Sequence, residues 1–145
     1  MFQHIKYETL NSRQRENYNF QKVSALLADY GFVTMRLSDD WNGADFIANH
    51  IDGTFLRVQL KSRWGIHRKY EGKGLWMAFP CDGVWYLVEH DEMVKQAMLH
   101  TTIAQTESWL KAGAYSNTSI PSGLRDALAP FRLGAAESLP VENDG

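Results

Sequence analysis

The chain has 145 residues, 44% hydrophobic and 22% charged, with a formal net charge of −2. That length suits one domain with its own core, and the composition excludes a disordered, collagen-like or coiled-coil chain. The single cysteine, Cys81, excludes a disulfide framework and a cysteine-rich zinc site. No apolar run of about 18 residues offers a membrane span, and no secretory pattern opens the chain, so the expected location is cytoplasmic.

Phe20, Val23, Leu26, Leu27 and Tyr30 recur at helical spacing and predict a helix over Ser12–Asp29, capped by Asn11 or Ser12 and stopped at Gly31. Three strands follow, over 32–38, 44–51 and 54–62, with Asp52-Gly53 closing a hairpin between the second and third. A basic loop precedes a second hairpin, 75–80 and 83–89, that turns at Cys81-Asp82-Gly83. Helices are expected over Asp91–His100 and Thr102–Ala112, then an irregular stretch over 113–132 with a short helix at Ser122–Ala129. Residues 1–132 read as a single α/β domain with an N-terminal helix, a central mixed β-sheet and C-terminal helices; 133–145 reads as an unstructured tail.

Charge is unevenly placed. Residues 1–56 carry five basic and seven acidic groups and 74–145 carry four and nine. Between them, Arg57, Lys61, Arg63, Arg68, Lys69 and Lys73 face only Glu71. Such a patch is either a solvated loop or a local field that steers an anionic partner. Trp64, Tyr70 and Trp76 lie in or beside it. They suit base stacking next to phosphate-pairing cations, and Trp64 and Trp76 equally suit packing at the sheet edge.

The hairpin at Asp52-Gly53 brings position 45 near position 60. Asp45, Gln59 and Lys61 can therefore converge at one end of the sheet, Gln59 and Lys61 being two apart on one strand face. A carboxylate and an amide oxygen are hard ligands of the kind Mg²⁺ accepts, because that ion keeps several waters and needs few protein ligands. An ammonium beside them can orient water and offset charge on a phosphate. Each residue also has an ordinary explanation, a strand-start turn residue or an exposed strand face. Glu16 and Asn19 continue the apolar stripe of the first helix toward its N-terminus, where a carboxylate needs a partner. His50, His67, His90 and His100 show no metal-ligand spacing and read as surface or capping residues.

The helix bearing Glu16 and ending in Tyr30-Gly31-Phe32, then Gly43-Ala44-Asp45-Phe46-Ile47, then Val58-Gln59-Leu60-Lys61, resembles the PD-(D/E)xK nuclease superfamily, most closely its Holliday-junction-resolvase branch. The likeness covers about residues 12–62 and implies a restriction-endonuclease-like fold and divalent-metal-dependent hydrolysis of DNA phosphodiesters. By that resemblance Asp45 is the central ligand for Mg²⁺ or Mn²⁺ and Gln59 replaces the usual second acid. Lys61 is the catalytic lysine, Glu16 the helix-borne acid, and the Leu60 carbonyl a further ligand. Arg63, Arg68, Lys69 and Lys73 would then grip the DNA backbone. A homodimer is compatible, since a duplex break needs two active sites or two events. The crossover helix that normally follows the lysine strand is missing, because 62–74 is too short for one. A catalytically inactive member of the same fold, binding DNA or protein, is the alternative.

Overall fold

The computed structural model describes residues 1–134, so the expected tail lies outside the described residues from 135 onward. Helix α1 spans Ser12–Ala28. Asn11, rather than Ser12, caps it: its side chain accepts the Gln14 N–H at 2.9 Å while the Gln14 side chain accepts the Asn11 N–H at 2.9 Å. This reciprocal box satisfies two of the donors a helix start leaves free.

The strands are β1 (Phe32–Trp41), β2 (Ala44–His50), β3 (Phe55–Leu60), β4 (Trp64–His67), β5 (Leu75–Cys81), β6 (Val84–Glu89) and β7 (Ala114–Asn117). Five form a mixed sheet in the order β1-β2-β3-β5-β6, with β3 and β5 parallel and the other neighbours antiparallel. Alternating side chains divide the core in two. On one face Phe46, Ala48, Val58, Ala78, Trp85 and Leu87 pack against Val23 and Leu27 of α1. On the other, Met77, Phe79, Cys81 and Val88 pack against Trp64 and Ile66 of β4 and against Met93 and Ala97 of α2 (His90–His100). That second layer covers only the β5–β6 end. Val33, Met35 and Phe55, on β1 and β3, stay exposed. Leu133 packs on the α1 face, and its N–H donates to the Trp85 carbonyl at 2.8 Å.

Two stretches differ from expectation. The basic loop over 62–74 is largely structured, holding β4 and a 3₁₀ turn at Arg68–Tyr70. This stretch makes the β3–β5 crossover, with no helix in it. Its β4 pairs with β7, in the register Trp64↔Asn117 to His67↔Ala114. That partner lies some fifty residues away, so no local pattern announces it. The second C-terminal helix is broken into a 3₁₀ turn at Ile103–Gln105 and a π turn at Ser108–Ala112. Here the Thr101 hydroxyl donates to the Ala97 carbonyl and the Thr106 hydroxyl to the Ile103 carbonyl. These side chains compete with the helical ladder. After β7 come a 3₁₀ turn, the short helix α3 (Arg125–Leu128) and a last 3₁₀ turn at Ala129–Phe131.

The β1–β2 turn sets where β2 begins. Asn42 and Gly43 have φ of 54° and 91°, the pattern of a tight two-residue hairpin. The Asp40 carboxylate accepts the Gly43 N–H at 2.7 Å. A Cβ at position 43 would meet Leu75 Cδ1 at 2.8 Å and the Tyr70 ring at 3.0 Å, at a φ that side chains rarely adopt. Gly43→Ala should therefore lower stability by at least about 1 kcal/mol in urea denaturation, with Gly53→Ala, whose added Cβ meets nothing within 4 Å, costing less.

Candidate active site at the end of β2 and β3

Strands β2 and β3 run antiparallel with Phe46 opposite Val58. One step further, the register sets Asp45 across from Gln59. Phe46 and Val58 point to the α1 core, so Asp45 and Gln59 share the opposite face. Asp45 Oδ2 accepts the Leu60 N–H at 2.8 Å, tying the carboxylate to the last residue of β3. Lys61 follows, its own N–H bonded to the Ala78 carbonyl of β5 at 2.8 Å. The three side chains expected to converge are thus brought to one strand end. Burial pushes the Asp45 carboxyl above the usual aspartate range. The charges of Glu16 and Asp40 push the same way, against the Leu60 N–H and Lys61.

Gln59 is buried, and its Nε2 donates to the Tyr70 hydroxyl at 2.8 Å. Its Oε1 is buried with no hydrogen-bond partner among the described residues. A buried amide oxygen left unpaired is costly, so this atom is the clearest sign of a ligand-seeking group. Tyr70 was legible only as a base-stacking candidate, because its contact with Gln59 exists only after the crossover folds back. Its ring lies edge-on to His67 and His90, with centroids 5.7 Å and 5.8 Å away, and Lys61 Nζ lies 5.8 Å from its centroid.

Glu16 is not on the buried stripe. Its Oε1 accepts from Arg36 of β1 at 2.7 Å, and its side chain is 55% exposed. Helix α1, from Ser12 to Leu26, lines a cleft of about 1140 Å³ together with Leu60–Ser62 and the β5–β6 hairpin, and Glu16 lies on that wall. Asn19 is the buried polar residue of that stretch, and its Nδ2 donates to the Tyr7 hydroxyl at 2.9 Å. Glu16 lines the cleft wall together with Lys61.

The basic residues divide. Arg63, Arg68, Lys69 and Lys73 are all exposed, and Arg68 differs in its contacts. Arg68 also lies over the Trp109 ring at 4.9 Å and donates to the Trp109 carbonyl at 3.2 Å. Trp64 is fully buried and Trp76 packs on the α1 face, so both serve the sheet rather than bases. His67 does act as a cap, accepting the Lys69 N–H. His90 is fully buried, not on the surface: its Nε2 accepts the His67 N–H at 3.1 Å and its Nδ1 lies 3.2 Å from Asp91.

Among the described residues, no three His, Cys, Asp or Glu side chains come together as a metal cluster. The available donors are the Asp45 carboxylate, the orphaned Gln59 Oε1 and the Leu60 carbonyl. That sparse, all-oxygen set fits a hydrated Mg²⁺ or Mn²⁺ and not a softer metal. Among the described residues, no helix is long and apolar enough to cross a membrane.

No family model matches the chain, and no curated protein matches it. Among solved structures it is similar to a bacterial homing endonuclease, I-Ssp6803I, with a TM-score of 0.50 and 13% identity over 84% of this chain and 86% of that one. The mixed α/β fold, with its N-terminal helix, five-stranded sheet and C-terminal helices, is therefore an endonuclease-like one.

Two outcomes follow from this geometry. With its folded pKa raised from 3.8, Asp45 holds its proton more tightly in the folded than the unfolded chain. Stability is then lost as pH rises from the ordinary to the raised value, and the cost persists above it. Asp45→Asn keeps an acceptor for Leu60 and removes the charge. Without metal it should melt higher than wild type near about pH 7, with the gap closing near about pH 3. Tyr70→Phe strips the acceptor from buried Gln59 Nε2 and should cost about 1–3 kcal/mol in the same melts.

Proposed function

We propose that the chain is a metal-dependent deoxyribonuclease of the PD-(D/E)xK type, hydrolysing DNA phosphodiester bonds. The observation that carries this reading is the unpartnered Gln59 Oε1, opposite Asp45 and beside Lys61. The endonuclease-like fold supports it.

In this reading Asp45, Gln59 and the Leu60 carbonyl hold Mg²⁺ or Mn²⁺. A bound divalent ion supplies Lewis-acid stabilisation of charge on the phosphoryl oxygens. Lys61 orients the attacking water and offsets the charge developing on the phosphate. Tyr70, bonded to Nε2, holds the Gln59 side chain in place beside the ion. Glu16, held by Arg36, adds its charge from the cleft wall. Arg63, Lys69 and Lys73 pair with the DNA backbone, an interaction that weakens as salt rises.

A second reading, a catalytically silent member of this fold that binds DNA, is favoured by one feature. Glu16 is engaged by Arg36, and no acidic trio forms among the described residues.

Thermal melts separate the two. Under the nuclease reading millimolar Mg²⁺ or Mn²⁺ raises the wild-type midpoint, by about 2.7 kcal/mol of stability at a hundredfold excess over Kd, and leaves Asp45→Ala unmoved. Lys61→Ala should keep the metal response and lose about 10²–10³-fold in cleavage of branched, nicked or single-stranded DNA. DNA binding with neither metal response nor cleavage would establish the silent reading instead.

A further inference from the structure

A second cavity, of about 360 Å³, lies on the other side of Lys61 from the large cleft. Lys61 and Ser62 line both spaces, so the end of β3 forms the wall between them. The second cavity is bounded by β4 and β7, the two strands that local patterning did not reveal.

Its chemistry is one-sided. Lys61, Arg63 and His67 line it together with Ser62, Tyr115 and Ser116, and among the described residues no carboxylate lines it. Among the described residues, none of Lys61, Arg63 and Lys69 is within ion-pair distance of an acid. Lys69 Nζ lies 4.9 Å from the Tyr70 ring centroid and Lys61 Nζ 5.8 Å. Cations gathered with no acid in ion-pair contact raise one another's electrostatic energy, and an anion entering between them relieves it.

The imidazole is set up as a donor. His67 Nδ1 accepts the Lys69 N–H at 3.1 Å. In the neutral ring that leaves the proton on Nε2. Partial burial and the charges of Lys69, Lys61, His90 and Arg68 push the His67 pKa below the usual histidine value, which favours that neutral form. Neutral His67, with Ser62, Tyr115, Ser116 and two permanent cations, forms a donor-rich lining of the kind that binds phosphate oxygens.

We propose that this cavity is a phosphate subsite for the backbone of the bound strand, beside Lys61 and on the same sheet face as Asp45 and Gln59. The identity of the anion rests on the nuclease reading; the cavity's preference for an anion does not. A strand whose reacting phosphate sits at Asp45 and Lys61 would pass over Ser62 and place a neighbouring phosphate between Arg63, His67 and Ser116. The subsite would then fix which bond along the strand meets Lys61.

The test uses ¹⁵N-labelled, metal-free protein and two probes: inorganic phosphate, and the dinucleotide thymidylyl-thymidine, a phosphodiester without a terminal phosphate. The variant is Arg63→Gln combined with His67→Asn. Arg63 is exposed, and an asparagine oxygen can replace Nδ1 as acceptor for the Lys69 N–H, so the turn keeps its cap. Both probes are expected to shift the Ser62, Gly65 and Ser116 amides saturably in wild type, at least tenfold more weakly in the double variant. Unsaturable shifts spread over the surface, or equal affinity in the variant, would overturn the proposal. A response to inorganic phosphate alone would also overturn it, marking a site for free or strand-terminal phosphate. The metal melt is independent. Saturable shifts in a protein whose melt ignores Mg²⁺ support an anion cavity and remove the nuclease reading. A metal response without cavity shifts removes the subsite alone.

Discussion

The antiparallel register of β2 on β3 is the constraint on which the site depends. Side chains alternate along a strand, so a slip of one residue would exchange every core residue for a surface one. Phe46 opposite Val58 keeps both under α1, and the same register places Asp45 and Gln59 on the far face. Two turns hold it. Asp52 Oδ1 accepts from the Thr54 hydroxyl and, at 2.8 Å, from the Thr54 N–H; these bonds lower the Asp52 pKa to about 2 and close the β2–β3 hairpin. Asn42-Gly43 closes the β1–β2 hairpin from the other side.

The crossover from β3 to β5 does the work that a helix does in larger parallel units. It must return the chain to a parallel neighbour, and in doing so it brings Tyr70 against Gly43, Gln59 and Lys61. An amide has a donor end and an acceptor end. A hydroxyl that accepts from one end leaves the other for a ligand. Tyr70 therefore anchors the Gln59 side chain by one end of its amide.

The same strand end stores electrostatic strain. A half-buried carboxylate with acids nearby is destabilised until a cation arrives, while Lys61 and Lys69 crowd round one aromatic ring. Unmet negative and positive charge lie side by side, separated by little more than Lys61. This suits a substrate that carries both a phosphate and its counterion, because each part of it meets the opposite field.

How much of this was legible follows from the range of the interactions. The period of α1, the alternation of the strands and the Asp-Gly turn are local, and they were enough to predict the sheet and to bring Asp45, Gln59 and Lys61 together. The placement of Glu16 failed because helical period describes a face and not what lies beneath it. Glu16 instead pairs with Arg36 of β1 on the wall of the open cleft. The β4–β7 pair, the contact of Tyr70 with Gln59 and the burial of His90 each join segments that are distant in the chain. Residue order thus specified the strand end and its three polar groups, since these depend on neighbours a hairpin apart. The contact of Gln59 with Tyr70, the packing of Arg68 on Trp109 and the basic cavity beside Lys61 were decided by tertiary packing, because long-range pairing leaves no periodic trace in sequence.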